Sequence, residues 1–100
     1  MRLEFFPIPT LEGLRFDLII ELALPRRSTP KIKIEWSSTI GATVPDAFEV
    51  QLPHHHSSLQ LIGPLSIPGV TYTATITSPT HPELNTTITK HPFDRIAKAV

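Results

Sequence analysis

Cysteine is absent from this 100-residue chain, which excludes disulfide staples and thiolate metal sites alike. Glycine is scarce, at four residues against eleven prolines, a balance that implies many rigid turns and little room for long helices. One tryptophan and one tyrosine leave few aromatics for a sugar-stacking platform, and both alternate with polar neighbours as core-facing strand residues do. Neither sign of charge is in excess, since nine basic residues balance nine acidic ones. No basic field therefore draws in nucleic acid or an anionic membrane. No apolar run approaches the roughly 18–20 residues that span a bilayer. A secretory signal is not expected either, because Glu4, Pro7 and Pro9 interrupt what would be its apolar core. The expected location is thus the cytosol, or release with an assembly.

What is present is an ordinary globular composition, 40% hydrophobic and 18% charged, at a length that supports one domain with one two-layer core. Its clearest element is Val70 to Thr77. Val70, Tyr72, Ala74 and Ile76 alternate with Thr71, Thr73, Thr75 and Thr77, the period-2 pattern of a half-buried strand. Pro68-Gly69 turns the chain into it and Ser78-Pro79 closes it.

Taken in order, residues 1–10 are apolar and broken by proline, which predicts an N-terminal arm or edge strand and not a helix. Leu3, Phe5, Phe6 and Ile8 are its large side chains and candidates for contact with a neighbouring subunit. Leu11 to Leu24 carries two signals. Leu11, Leu14, Leu18 and Leu22 fit helical spacing behind Thr10 as a cap, whereas Phe16, Leu18, Ile20, Leu22 and Leu24 alternate strictly. The alternation predicts a long strand, with a helix as the alternative.

Further strands are predicted at Ile32-Ile34-Trp36, at Phe48-Val50-Leu52 and at Leu59 to Ile62, with a proline-rich turn at 25–30 and polar loops between. Asn85 to Lys90 has only Ile88 as an apolar anchor and reads as an edge strand, with Lys90 and Pro92 as guards against stray pairing. Residues 11–91 would then form the domain and 92–100 a C-terminal tail. Six or seven short strands at about ten-residue spacing predict an all-β, two-sheet antiparallel sandwich. Its core would hold Ile34, Trp36, Phe48, Val50, Val70, Tyr72, Ala74 and Ile76.

From Lys31 to Ile88 the chain also resembles fibronectin type III domains of the immunoglobulin-like group. Ile34-Glu35-Trp36 is similar to their apolar-x-Trp core motif. Leu65-Ser66-Ile67-Pro68-Gly69-Val70-Thr71-Tyr72 is similar to their Leu-x-Pro-Gly-Thr-x-Tyr corner, with the leucine one residue further from the proline and valine in place of threonine. The resemblance implies an immunoglobulin-like sandwich of about seven strands and a Tyr72 hydroxyl bonded to backbone near the preceding turn. Fold alone implies no activity.

Candidate chemistry is sparse. His54, His55 and His56 invite a metal, with Asp46, Glu49 or His81 as possible further ligands. Adjacent residues of an extended loop point apart, however, and a metal site needs convergent ligands. Ser57 and Ser58 beside them lack a triad's converging partners. No phosphate loop, nucleophile elbow or paired-carboxylate motif is present, so no enzyme, cofactor or metal is expected. Asn85-Thr86-Thr87 spells a glycosylation acceptor, read as chance in a chain without a secretory signal. The row Thr71, Thr73, Thr75 and Thr77 offers a flat, weakly hydrated face for another protein. Immunoglobulin-like domains without a secretory signal are, by resemblance, often decoration, tail or baseplate subunits of tailed phages. The expectation is a non-enzymatic assembly subunit with protein partners. The alternative is an extracellular or cell-surface module that recognises carbohydrate or protein through its loops.

Overall fold

The alternation around Tyr72 folds as the alternation dictates. In the computed structural model, which describes residues 1–23, 28–53 and 57–91, Tyr72–Thr77 is a strand whose residues are buried and half-buried in turn. The described residues form seven strands in all: β1 (Arg2–Thr10), β2 (Gly13–Glu21), β3 (Lys31–Ser38), β4 (Phe48–Gln51), β5 (Ser58–Leu61), β6 (Tyr72–Thr77) and β7 (Thr86–Lys90). A 3-10 turn, Pro82–Leu84, precedes β7. Every pairing is antiparallel, in a three-stranded sheet ordered β1-β2-β5 and a four-stranded sheet ordered β4-β3-β6-β7. The molecule is an all-β, two-sheet sandwich. No helix among the described residues is long and apolar enough to cross a membrane.

The two inner faces meet in one core. Leu18, Ile20 and Leu22 come from β2 and its end, Ile32 and Ile34 from β3, Ala74 and Ile76 from β6, with Leu52 and Leu84 at the margins. Val70 and Tyr72 are equally buried. Each leucine, isoleucine and valine among them contributes about 1.5–3 kcal/mol relative to exposure. Period-2 placement is what lets both sheets spend one face on this layer and leave the other to solvent.

Of Leu11–Leu24, Gly13–Glu21 is strand, as the alternation predicts, while Leu24 lies outside the described residues. Leu11, first member of the helical stripe, is fully exposed in the turn between β1 and β2. Thr10 holds that turn: its hydroxyl donates to the Gly13 carbonyl at 2.7 Å and accepts the Glu12 N–H at 3.2 Å. Gly13 has φ +134°, a conformation open to glycine and strained for other residues.

Three expectations need correction. Residues 1–10 are no separate arm: strand β1 pairs with β2 from Arg2↔Glu21 to Thr10↔Gly13, so the sandwich starts at residue 2. Pro7 and Pro9 are accommodated because β1 is an edge strand with one free flank. Phe48 is not a core residue; it is 41% exposed, on the edge strand β4 beside an open hollow that it shares with Trp36 and with Leu59 and Leu61 of β5. Trp36 is only half-buried and lies against the core margin. The tail at 92–100 and the histidines at 54–56 lie outside the described residues.

Candidate interaction surfaces

The threonine row becomes a wider array once the strands are paired. Thr73, Thr75 and Thr77 lie on the outer face of β6, with Thr71 just before it, all half-buried. Beside them stand Ser37, Glu35 and Lys33 of β3, opposite Thr73, Thr75 and Thr77 in turn. On the other flank β7 sets Thr89 opposite Thr73 and Thr87 opposite Thr75. The Thr73 and Thr89 hydroxyls approach to 3.4 Å, a weak contact that leaves both largely to water. Lys33 and Glu35 sit 3.7 Å apart on the same face, so the array is hydroxylated at its centre and charged at its flank.

The four apolar residues of β1 divide between two faces. Leu3 and Phe5 turn inward and pack on the core. Phe6 and Ile8 turn outward, opposite Asp17 and Arg15 of β2, and Phe6 remains 47% exposed. Ile19, opposite Glu4, belongs to this outer face as well.

Asp17 is the buried charge of that face, at 3% exposure. Arg15, two residues along the same strand, grips it with two hydrogen bonds, Nε to Oδ1 at 2.7 Å and Nη2 to Oδ2 at 3.1 Å. The Gly63 N–H donates to Oδ1 at 3.2 Å. Burial alone would raise the Asp17 pKa, but the Arg15 hydrogen bond, the Gly63 N–H, the Arg15 charge and Gln60 together hold it below the ordinary value. The segment after β5 is thereby tied to β2, helped by Phe16 N–H to the Pro64 carbonyl at 2.9 Å. Gly63 is needed at this crossing, because a Cβ there would lie 1.7 Å from the Phe16 carbonyl oxygen. Sequence alternation placed Arg15 and Asp17 on the outer face, but nothing in it signalled that Asp17 would be covered.

Between the edges of β4 and β5 the sandwich stands open. One hollow of about 380 Å³ is lined by Trp36, Asp46, Phe48, Leu59, Leu61 and their neighbours. A second, of about 370 Å³, is walled by Val44, Leu65, Ile67 and Tyr72 among others. Pro45 and Ile62 line both. The Tyr72 hydroxyl is buried and has no hydrogen-bond partner among the described residues, so the corner bond expected of it is not made. Thr71 and Thr39 close that end of the sheet instead, with Thr39 N–H to the Thr71 carbonyl at 3.1 Å and Thr71 N–H to the Thr39 hydroxyl at 3.2 Å. Burial also raises the Tyr72 pKa.

Of the residues considered as metal ligands, Asp46, Glu49 and His81 are described. Among the described residues no three His, Asp or Glu side chains are grouped to hold an ion. Glu49 pairs with Lys31 at 3.0 Å. His81 Nδ1 meets the Thr80 hydroxyl at 2.9 Å, and its backbone N–H donates to Ser78 Oγ at 3.0 Å. Asn85, first residue of the glycosylation triplet, accepts the Ser78 N–H through Oδ1 at 2.8 Å. Buried Ser78 in turn donates to the Lys31 carbonyl at 2.6 Å, so this polar cluster braces the turn before β7. Comparison of the chain with protein-family models, with curated proteins and with solved structures gave no match.

Proposed function

We propose that the protein is a non-enzymatic assembly subunit, an immunoglobulin-like sandwich of the fibronectin type III kind that docks on other protein chains, copies of itself among them, through its sheet faces and edges. Strand order supports the fold assignment: β4 lies beside β3 in the second sheet and not beside β5, a one-strand switch from the constant-type immunoglobulin arrangement. The observation that carries the function is the outer face of the three-stranded sheet. Phe6, nearly half exposed, stands with Ile8 and Ile19 over the Arg15–Asp17 pair, and such an apolar patch with a polar rim is a surface that protein association covers. By the sequence resemblance, a tailed-phage particle is the setting in which such a subunit would serve.

Sedimentation velocity over a range of concentrations tests this. The wild-type chain is expected to self-associate, and Phe6→Ser to remain monomeric with an unchanged melting temperature. A wild-type chain that stays monomeric throughout, or a Phe6→Ser variant that associates equally well, overturns the proposal. One observation favours a binding module as the second possibility: Trp36 and Phe48 share a hollow with Asp46 and Gln60, a combination of aromatic and polar groups suited to a ligand.

A further inference from the structure

We infer that the cleft between β4 and β5 receives an extended segment of a partner protein, one that carries a lysine or arginine among apolar residues. The inference rests on the protein-docking reading but concerns a different surface from the Phe6 face.

Three features select this occupant. First, β4 and β5 are edge strands of their respective sheets, so a cleft between them is flanked on both sides by backbone available for pairing. An extended peptide is the ligand that uses such edges, through main-chain hydrogen bonds for affinity and alternate side chains for selectivity. Second, the cleft continues past the start of β4 and the end of β5 into a second hollow, between the segments 43–45 and 62–67, which shares Pro45 and Ile62 with the first. Alternate side chains of a strand repeat at about 6.6–7 Å on one face, and neighbouring hollows suit two such side chains better than one compact molecule. Third, the charge at the cleft is of one sign. Asp46 is the charged residue of its lining, and among the described residues it takes part in no ion pair. Trp36 and Phe48 beside it add the ring faces to which a cation is drawn.

A carbohydrate fits less well. The second hollow is walled by Val44, Leu65, Ile67 and shared Pro45 and Ile62, and the Tyr72 hydroxyl there is buried beyond reach. Thr43 is the one hydroxyl-bearing residue of that lining besides Tyr72, so most sugar hydroxyls placed in it would lose water without finding partners.

Isothermal titration with synthetic peptides tests the inference on the full chain. The probes are Leu-Thr-Val-Lys-Val-Thr-Leu, the same peptide with glutamate replacing lysine, and a linear glucose oligosaccharide. The lysine peptide is expected to bind saturably and to shift the emission of Trp36, the chain's one tryptophan. Asp46→Asn should weaken it about two- to fivefold, as for an exposed ion pair. Ile62→Lys should weaken it more than about tenfold by obstructing both hollows with a like charge. Because Ile62 is 66% exposed, that variant should keep its melting temperature, which separates lost binding from lost folding. Equal binding of the glutamate peptide overturns the charge selection, and binding of the oligosaccharide alone overturns the peptide. No saturable binding up to about 1 mM, an affinity of roughly −4 kcal/mol, overturns the inference altogether. If Ile62→Lys abolishes peptide binding while self-association persists, the cleft and the Phe6 face are independent. If self-association fails but the peptide binds, only the assembly proposal falls.

Discussion

The rings of Phe5 and Trp36 meet across the sandwich, centroids 6.1 Å apart and planes inclined at 46°. Phe5 belongs to the edge strand β1 of one sheet and Trp36 to the inner strand β3 of the other. The contact therefore joins the sheets at their margin, where the deep core of Ile34 and Ala74 gives way to the cleft.

Tilted aromatic pairs contribute about 0.5–1.5 kcal/mol beyond the area they bury. Since Trp36 is half-buried, Trp36→Ala should cost about 2–3 kcal/mol, less than truncation of a fully buried aromatic. A double-mutant cycle with Phe5→Ala, followed by chemical denaturation, should return a coupling of about 0.5–1.5 kcal/mol. Strict additivity would show that the rings touch without mutual stabilisation.

Removal of residues 1–9 should abolish or gravely weaken the native fold. That truncation deletes nearly all of β1, its pairing with β2, and the inward Leu3 and Phe5. Two partly buried side chains contribute about 1–2 kcal/mol each, and a newly exposed apolar edge at β2 adds to the loss against a total stability of about 5–15 kcal/mol. Circular dichroism during thermal melting decides the matter. An unchanged transition would show β1 to be an appendage after all.

Asp17 predicts how stability responds to acid. Its carboxyl is held below the ordinary value of 3.8 in the folded chain, so the contribution is fully present above about pH 4. It is lost as pH falls through the folded-state value, where protonation breaks the Arg15 grip. Asp17→Asn should destabilise the protein by about 1.5–3 kcal/mol near neutral pH, the range for hydrogen bonds to charged groups. The difference from wild type should shrink below pH 4. A variant as stable as wild type at pH 7 would show that the buried pair makes no net contribution.

Strands were legible in the sequence wherever one face is buried and the other wet, as at β3 and β6, because alternation records that asymmetry directly. At β1 the same logic was obscured. Phe5-Phe6 and Ile8 put apolar residues on both faces, and two prolines suggested a chain segment outside the sheet; only the partner strand shows that an edge accommodates them. Phe48 misled for the opposite reason, since its alternation with Glu49 is correct but β4 is an edge strand and Phe48 borders an open hollow instead of packed core. The cleft was not legible at all. It is assembled from Trp36, Pro45, Leu59 and Ile62, residues distant in sequence whose juxtaposition depends on where each sheet ends.

Tyr72 tests how far the resemblance to the fibronectin type III corner extends in this chain. Its ring is 2% exposed, yet its hydroxyl is without a partner among the described residues. A buried unpaired hydroxyl costs about 1–3 kcal/mol of desolvation, whereas the ring's apolar burial is the same in phenylalanine. Tyr72→Phe should therefore leave stability unchanged or raise it by about 1 kcal/mol. In a chain whose tyrosine holds the turn before β6, the same change would remove a hydrogen bond and lower stability by about 0.5–1.5 kcal/mol. The two cases differ in sign, so denaturation midpoints of wild type and variant, measured at one pH well below the tyrosine range, separate them. A lower midpoint for Tyr72→Phe would mean that the hydroxyl has found a partner in solution. A midpoint equal or higher would mean that the resemblance to that corner extends to the ring and not to the bond, with Thr71 and Thr39 closing the end of the sheet.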